Sequence, residues 1–94
     1  MTQQKTALVT GSARGIGLAT CKLFQSQGWN VVQVDWDAGE LKAATLDGAL
    51  PLALDISNPQ DAQTMVRETI TVFGRLDAVV NNAGIAEFGP IEGT

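Results

Sequence analysis

A chain of 94 residues that is 45% hydrophobic and 17% charged is long enough for one small folded unit and too apolar to stay disordered. Six Lys and Arg against ten Asp and Glu give a formal net charge of -4 without a basic cluster, which argues against nucleic acid or an anionic membrane as partner and favours a small-molecule ligand. One cysteine, Cys21, leaves no intramolecular disulfide, the opening Met-Thr-Gln-Gln-Lys lacks the apolar core of a secretory signal, and no apolar run reaches the roughly 18 residues that span a bilayer, so a soluble protein of the reducing cytoplasm is expected.

Thr6 to Thr10 is a short apolar run ending in glycine-rich sequence, the pattern of a buried strand. From Ile16 onward, small or apolar residues at Ile16, Ala19, Thr20, Leu23 and Phe24 recur at three- and four-residue steps and predict a helix that stops at Gly28. Val31 to Asp35 reads as a second strand, Asp37 as the cap of a short helix running to Leu46, and Leu50 to Asp55 as a third strand. Ser57 is placed to cap a helix with Pro59 in its first turn. Ala62, Met65, Val66, Thr69, Ile70 and Phe73 line one face of that helix and Gly74 ends it. Leu76 to Asn81 is a fourth strand, followed by the loop Ala83 to Pro90. Strands alternating with helices specify an α/β fold with a parallel, doubly wound sheet, its strands in the order 3-2-1-4.

Thr10-Gly-Ser-Ala-Arg-Gly-Ile-Gly17 lies between the first strand and the first helix, where first-turn backbone amides can point at a diphosphate. Gly11 permits the tight exit from the strand, Gly15 lets backbone approach the phosphates, and Gly17 lets the helix pack close to the sheet. Asp35 falls about 20 residues later at the end of the second strand, where a carboxylate can accept hydrogen bonds from an adenosine ribose and repel a 2′-phosphate. Capping of a helix is its alternative role.

The Gly-x-x-x-Gly-x-Gly spacing with its preceding Thr10 resembles the classical short-chain dehydrogenase/reductase family, and Asn81-Asn-Ala-Gly84 matches that family's second signature in order and spacing. The resemblance covers nearly the whole chain and implies a Rossmann-type domain, of which residues 1–94 would be the first part. It implies that Gly11, Ser12, Arg14, Gly15, Ile16 and Gly17 form the cofactor loop, with the backbone of Asn81, Ala83 and Gly84 along the cofactor. It also implies contact of Asp55 and Ile56 with the adenine, although Asp55 could equally cap the next helix. Trp36 either flanks the adenine or covers the sheet edge. A basic residue at the position of Arg14 can contact the 2′-phosphate of NADP in this family, whereas Asp35 favours NAD, and NAD is the expected cofactor. Cys21 reads as an inert side chain within the first helix.

Family members use a tyrosine as general acid or base, a lysine four residues later and a serine, and this sequence has no tyrosine and no histidine. No catalytic residue and no metal ligand set is assigned. The resemblance implies that the intact protein is an oxidoreductase, that the 94 residues alone are inactive, and that the protein forms homo-oligomers. A non-catalytic module that binds the dinucleotide for redox sensing or regulation is the alternative. The fourth strand is apolar yet expected at a sheet edge. The 94-residue chain in isolation should therefore self-associate or aggregate, and a monodisperse, cooperatively melting monomer in sedimentation and thermal-melt measurements would contradict that expectation.

Overall fold

The computed structural model describes residues 4–82. In chain order the elements are β1 (Thr6–Thr10), α1 (Gly15–Ser26), β2 (Asn30–Asp35), α2 (Ala38–Ala44), β3 (Leu50–Ala53), α3 (Pro59–Phe73) and β4 (Ala78–Val80). The four strands form one parallel sheet in the order β3-β2-β1-β4, as the sequence pattern predicts. Every residue of β1 is buried, as expected of a central strand with neighbours on both sides and helices on both faces.

Strand alternation divides the core into two layers. Leu8, Val32 and Val34 are fully buried on one face, with Met65 and Phe73 of α3 packed against them. Val9 and Val31 lie on the other face with Cys21 and Phe24 of α1. Gln33 and Asp35 share the side of β2 that Val31 occupies, so two polar residues are interleaved with the apolar ones in a buried strand. Both are satisfied: the buried Gln33 amide donates to the Ala44 and Ser12 carbonyls at 3.2 and 3.5 Å and accepts from Leu46 N at 2.7 Å. That last bond draws the backbone out of helical geometry, which explains why α2 ends at Ala44 and not at Leu46. Asp37 caps α2 as expected, accepting from Glu40 N at 3.1 Å.

Two details of the helices depart from the sequence pattern. The face that α1 buries runs through Gly17 and Cys21, with Phe24 partly buried, while Ile16 is 76% and Leu23 61% exposed. Close approach at Gly17 sets this rotation, and residues at steps of four and three follow it to the sheet. For α3 the cap is Asn58, which accepts from Gln60 N at 2.9 Å, rather than Ser57, whose hydroxyl donates to Asp55 Oδ1 at 2.7 Å. Thr69 is buried, Met65 and Phe73 reach the core, and Val66 and Ile70 of the predicted apolar face remain over two fifths exposed. Gly74 closes the helix in a left-handed conformation, its N–H donating to Ile70 O at 2.8 Å, as the sequence predicts.

β3 and β4 are shorter than expected, and β4 is an edge among the described strands, with Val79 56% exposed. Its approach is fixed by charge. Arg75 contacts both carboxylate oxygens of Asp77 at 2.7 and 2.8 Å, and Asp77 Oδ2 accepts from Thr6 N at 2.8 Å while Asp77 N donates to Thr6 O at 2.8 Å. The Arg75 guanidinium, and then the Thr6 amide, hold the Asp77 carboxyl below the ordinary aspartate value of 3.8. The folded state therefore binds this proton more weakly than the unfolded chain does. The contribution is complete above the unfolded value and disappears as pH falls through the lowered folded one. Asp77→Asn should flatten the acid limb of a melting-temperature profile below about pH 4 and lower the plateau above it. Superimposable profiles for the two proteins would exclude this role.

Candidate functional site

The predicted site residues converge on the edge where the parallel strands end. Thr10 closes β1, Asp35 closes β2, Asp55 follows β3 and Asn81 follows β4. In an open α/β sheet this edge is where ligands bind, beside the helix that follows the first strand.

The loop from Gly11 to Arg14 is built from the protein interior outward. The buried Ser12 side chain points inward, its Oγ donating to Val34 O at 3.1 Å, while the Ser12 backbone N donates to the same carbonyl at 3.2 Å, so both donors of this residue are turned to the protein interior. Ala13 N donates to Asp35 Oδ2 at 3.0 Å, and Asp37 N donates to Asp35 Oδ1 at 3.0 Å. Asp35, only 8% exposed, thus ties the glycine loop to the turn after β2 with one oxygen on each side. Each oxygen keeps a further lone pair for another donor. Asp37, not Asp35, provides the helix cap.

Two glycines of the loop have distinct physical reasons. A Cβ on Gly17 would collide with the Gly11 carbonyl oxygen and come within 3.0 Å of Asn82 Nδ2, so no side chain fits where α1 crosses the strand exit. Gly15 has a φ of 60°, and nothing lies within 4 Å of where its Cβ would be. Its constraint is conformational, and the space over it is open. Arg14, the cap residue of α1, makes no side-chain cap bond, and the first turn carries no acidic residue. The amides at the start of α1 are therefore available to an anion, with the helix dipole favouring negative charge there.

β4 is stitched to this loop by its own terminal residues. Thr10 Oγ1 donates to Asn81 Oδ1 at 3.1 Å, and Asn82 Nδ2 lies 3.5 Å from the Gly11 carbonyl. Asn82 was not among the predicted site residues, yet it meets the carbonyl that faces Gly17. The signal was the Asn81-Asn82 doublet, whose two members project to opposite sides of an extended chain. Ala83 and Gly84 lie outside the described residues.

The remaining candidates are placed as follows. Arg14 is exposed and paired with Glu40 at 2.7 Å and, more loosely, Asp37 at 3.8 Å. Ile16 is exposed at the start of α1, and Trp36, just after β2, is 73% exposed. Asp55 Oδ1 accepts from Ser57 Oγ at 2.7 Å and Ser57 N at 3.0 Å. The Ser57 hydroxyl, then the Ser57 amide, hold the Asp55 carboxyl below its ordinary value and leave its second oxygen outside these bonds. Asp55 forms this turn and is not the cap of α3. Ile56 is partly buried against the Leu8, Val32 and Val34 layer. Burial pushes the Cys21 thiol up to about 11 against a smaller opposing effect of Ser12, which makes it unreactive at neutral pH. Among the described residues, no group of three or more His, Cys, Asp or Glu is placed to hold a metal ion, and no helix is long and apolar enough to cross a membrane.

Comparison with known proteins agrees with this arrangement. The family model described as short chain dehydrogenase matches residues 5–94. L-fucose dehydrogenase of Bos taurus is 43% identical over 82 residues, covering 85% of this chain and 30% of its own length. Tropinone reductase-like 1 of Erythroxylum coca is 42% identical over 86 residues, covering 88% and 32%. The crystal structure of 3-ketoacyl-(acyl-carrier-protein) reductase from Brucella melitensis complexed with NADH superimposes with a TM-score of 0.77 at 34% identity, over 82% of this chain and 33% of that one. The chain thus spans about a third of the length of each of these three proteins.

The contact at Gly17 gives a direct check on the loop. Gly17→Ala in the full-length protein should lose about 1–3 kcal/mol of stability in denaturant titration, because α1 must lift from the Gly11 carbonyl. An unchanged denaturation midpoint would show that the approach is not rigid.

Proposed function

This chain belongs to the short-chain dehydrogenase family, and we propose that its carboxyl edge binds a nicotinamide dinucleotide, NAD in preference to NADP, as the cofactor-binding portion of an oxidoreductase. The observation that carries this reading is the uncapped start of α1, open over Gly15, beside the Asp35 carboxylate at the end of β2. The residues fit the group. A diphosphate approaching over Gly15 would meet the amides of the first turn and no side chain. The NADH complex of the Brucella melitensis reductase, whose fold overlays this one, supports the same assignment.

The roles follow from position. Gly15, Ile16 and Gly17 offer backbone to the diphosphate, and Asp35 accepts from the adenosine ribose hydroxyls with the lone pairs that Ala13 N and Asp37 N leave free. Asp55 offers its second oxygen to the exocyclic amine of the adenine, with Ile56 and Trp36 beside the ring. Asn81, with Ala83 and Gly84, runs along the remainder of the cofactor. The bound cofactor supplies hydride exchange with an alcohol or carbonyl substrate, while these residues bind and orient it. This reading assigns no proton-transfer role to a side chain among the described residues. The reading includes a cytoplasmic setting, which suits a single buried thiol, and assembly with further copies of the protein.

Preference for NAD rests on Asp35. A 2′-phosphate would bring negative charge against a carboxylate fixed by two backbone amides. In the full-length protein, Asp35→Ala should weaken NAD binding by about tenfold or more, the loss expected for hydrogen bonds to a charged acceptor. It should affect NADP less, so that the ratio of the two dissociation constants falls. An unchanged ratio would remove Asp35 from this role.

A further inference from the structure

The one cation of the glycine loop does not stand free above the sheet edge. Arg14 Nε is 2.7 Å from Glu40 Oε1, and a terminal nitrogen is 3.8 Å from Asp37 Oδ2. Both acids are held at the start of α2, since Asp37 caps the helix by accepting from Glu40 N. Asp35 lies two residues before Asp37 and is joined to it by the Asp37 amide. Three carboxylates and one guanidinium therefore share the region between the glycine loop and α2, and the cation is already engaged.

We infer that Glu40 is a specificity residue: by pairing with Arg14 it withholds the guanidinium from a 2′-phosphate, so the site rejects NADP through this ion pair as well as through Asp35. The inference rests on the dinucleotide reading above and adds to it a residue outside the loop and the strand. A phosphate group is best held by the forked donors of a guanidinium, and with Nε taken by Glu40 the guanidinium keeps only its terminal-nitrogen edge for a phosphate, is held toward α2, and has its charge partly offset by the carboxylate. Glu40, not Asp37, is the controlling acid, because its contact with the guanidinium is the shorter by more than an ångström, at 2.7 against 3.8 Å. Arg14 is 64% and Glu40 47% exposed at the side chain, so the pair can exchange partners and is weakened by salt. The selectivity it adds is accordingly severalfold, on top of the larger effect of Asp35.

The test is calorimetric titration of the full-length protein with NAD and NADP, without substrate. Glu40→Gln should tighten NADP binding about threefold to tenfold, in keeping with release of one exposed ion pair and one nearby negative charge. NAD binding should move by less than about twofold, because an unphosphorylated ribose has no group for the freed guanidinium to pair with. The gain should shrink near 1 M salt, where the screening length is about 3 Å. It should vanish when Glu40→Gln is placed in an Arg14→Gln background, since the two residues act as one unit. An unchanged NADP affinity in Glu40→Gln would overturn the inference and leave the dinucleotide reading standing. An equal gain with and without Arg14 would also overturn it, showing Glu40 to act as a bare charge. Failure of the unsubstituted protein to bind either dinucleotide would overturn the reading itself, and the inference with it.

Discussion

The arrangement depends on one close approach, that of α1 to the carbonyl of Gly11 at Gly17. Without a Cβ at position 17 the helix axis settles against the exit of β1, and that contact fixes the rotation of the helix as well as its distance. Gly17, Cys21 and Phe24 then share the inward face, and Ile16 and Leu23 are turned outward in spite of their apolar character. The same contact aims the first-turn amides over the end of the sheet. Packing and site geometry are thus one constraint here, since a helix displaced to admit a side chain at 17 would also carry its amides away from the edge.

This explains what could be read from the residues. The order of the strands, the glycine loop and the place of Asp35 followed from spacing, because each depends on a local rule: strand, tight turn, helix, and a carboxylate at the next strand end. The caps at Asp37 and Gly74 were legible for the same reason. The buried stripe of α1 was not, because hydropathy weights Ile16 and Leu23 and gives no weight to a glycine that sets the rotation. Spacing does not separate Ser57 from Asn58 as the cap of α3, because Ser and Asn are nearly equal in that role, and the choice turns on Ser57 being engaged by Asp55. Gln33 carried no signal either. In sequence it is a polar residue in an apolar strand, and only the fold shows that its amide joins Ser12, Ala44 and Leu46.

Gln33 and Asp35 show how a buried strand carries polar side chains at low cost. An unpaired polar group in this interior would cost about 1–3 kcal/mol, and among the described residues no buried side-chain nitrogen or oxygen lacks a partner. The two residues project on the same side of β2, toward the glycine loop and the ends of α2. Through them the strand orients the loops at its edge by directed bonds, while Val32 and Val34 on the opposite side supply apolar contact. Asp35 therefore braces Ala13 and Asp37 together, and on the dinucleotide reading proposed above it is also the charge that faces the ligand. Its geometry is set before any ligand arrives, which lowers the ordering cost of binding.

β4 meets the opposite demand, for it has three residues and little burial yet must hold Asn81 and Asn82 in place. A strand this short has few ladder bonds with which to define its register. The register is fixed instead at both ends by side chains. Asp77, itself gripped by Arg75, receives the Thr6 amide at the entry, and Thr10 and the Gly11 carbonyl meet Asn81 and Asn82 at the exit. A slip by one residue would break both sets at once and would also exchange the faces presented by Val79 and Val80. The polar pairs thus specify alignment where apolar burial is too small to do so. They extend to the outer strand the positional control that Gly17 imposes on α1.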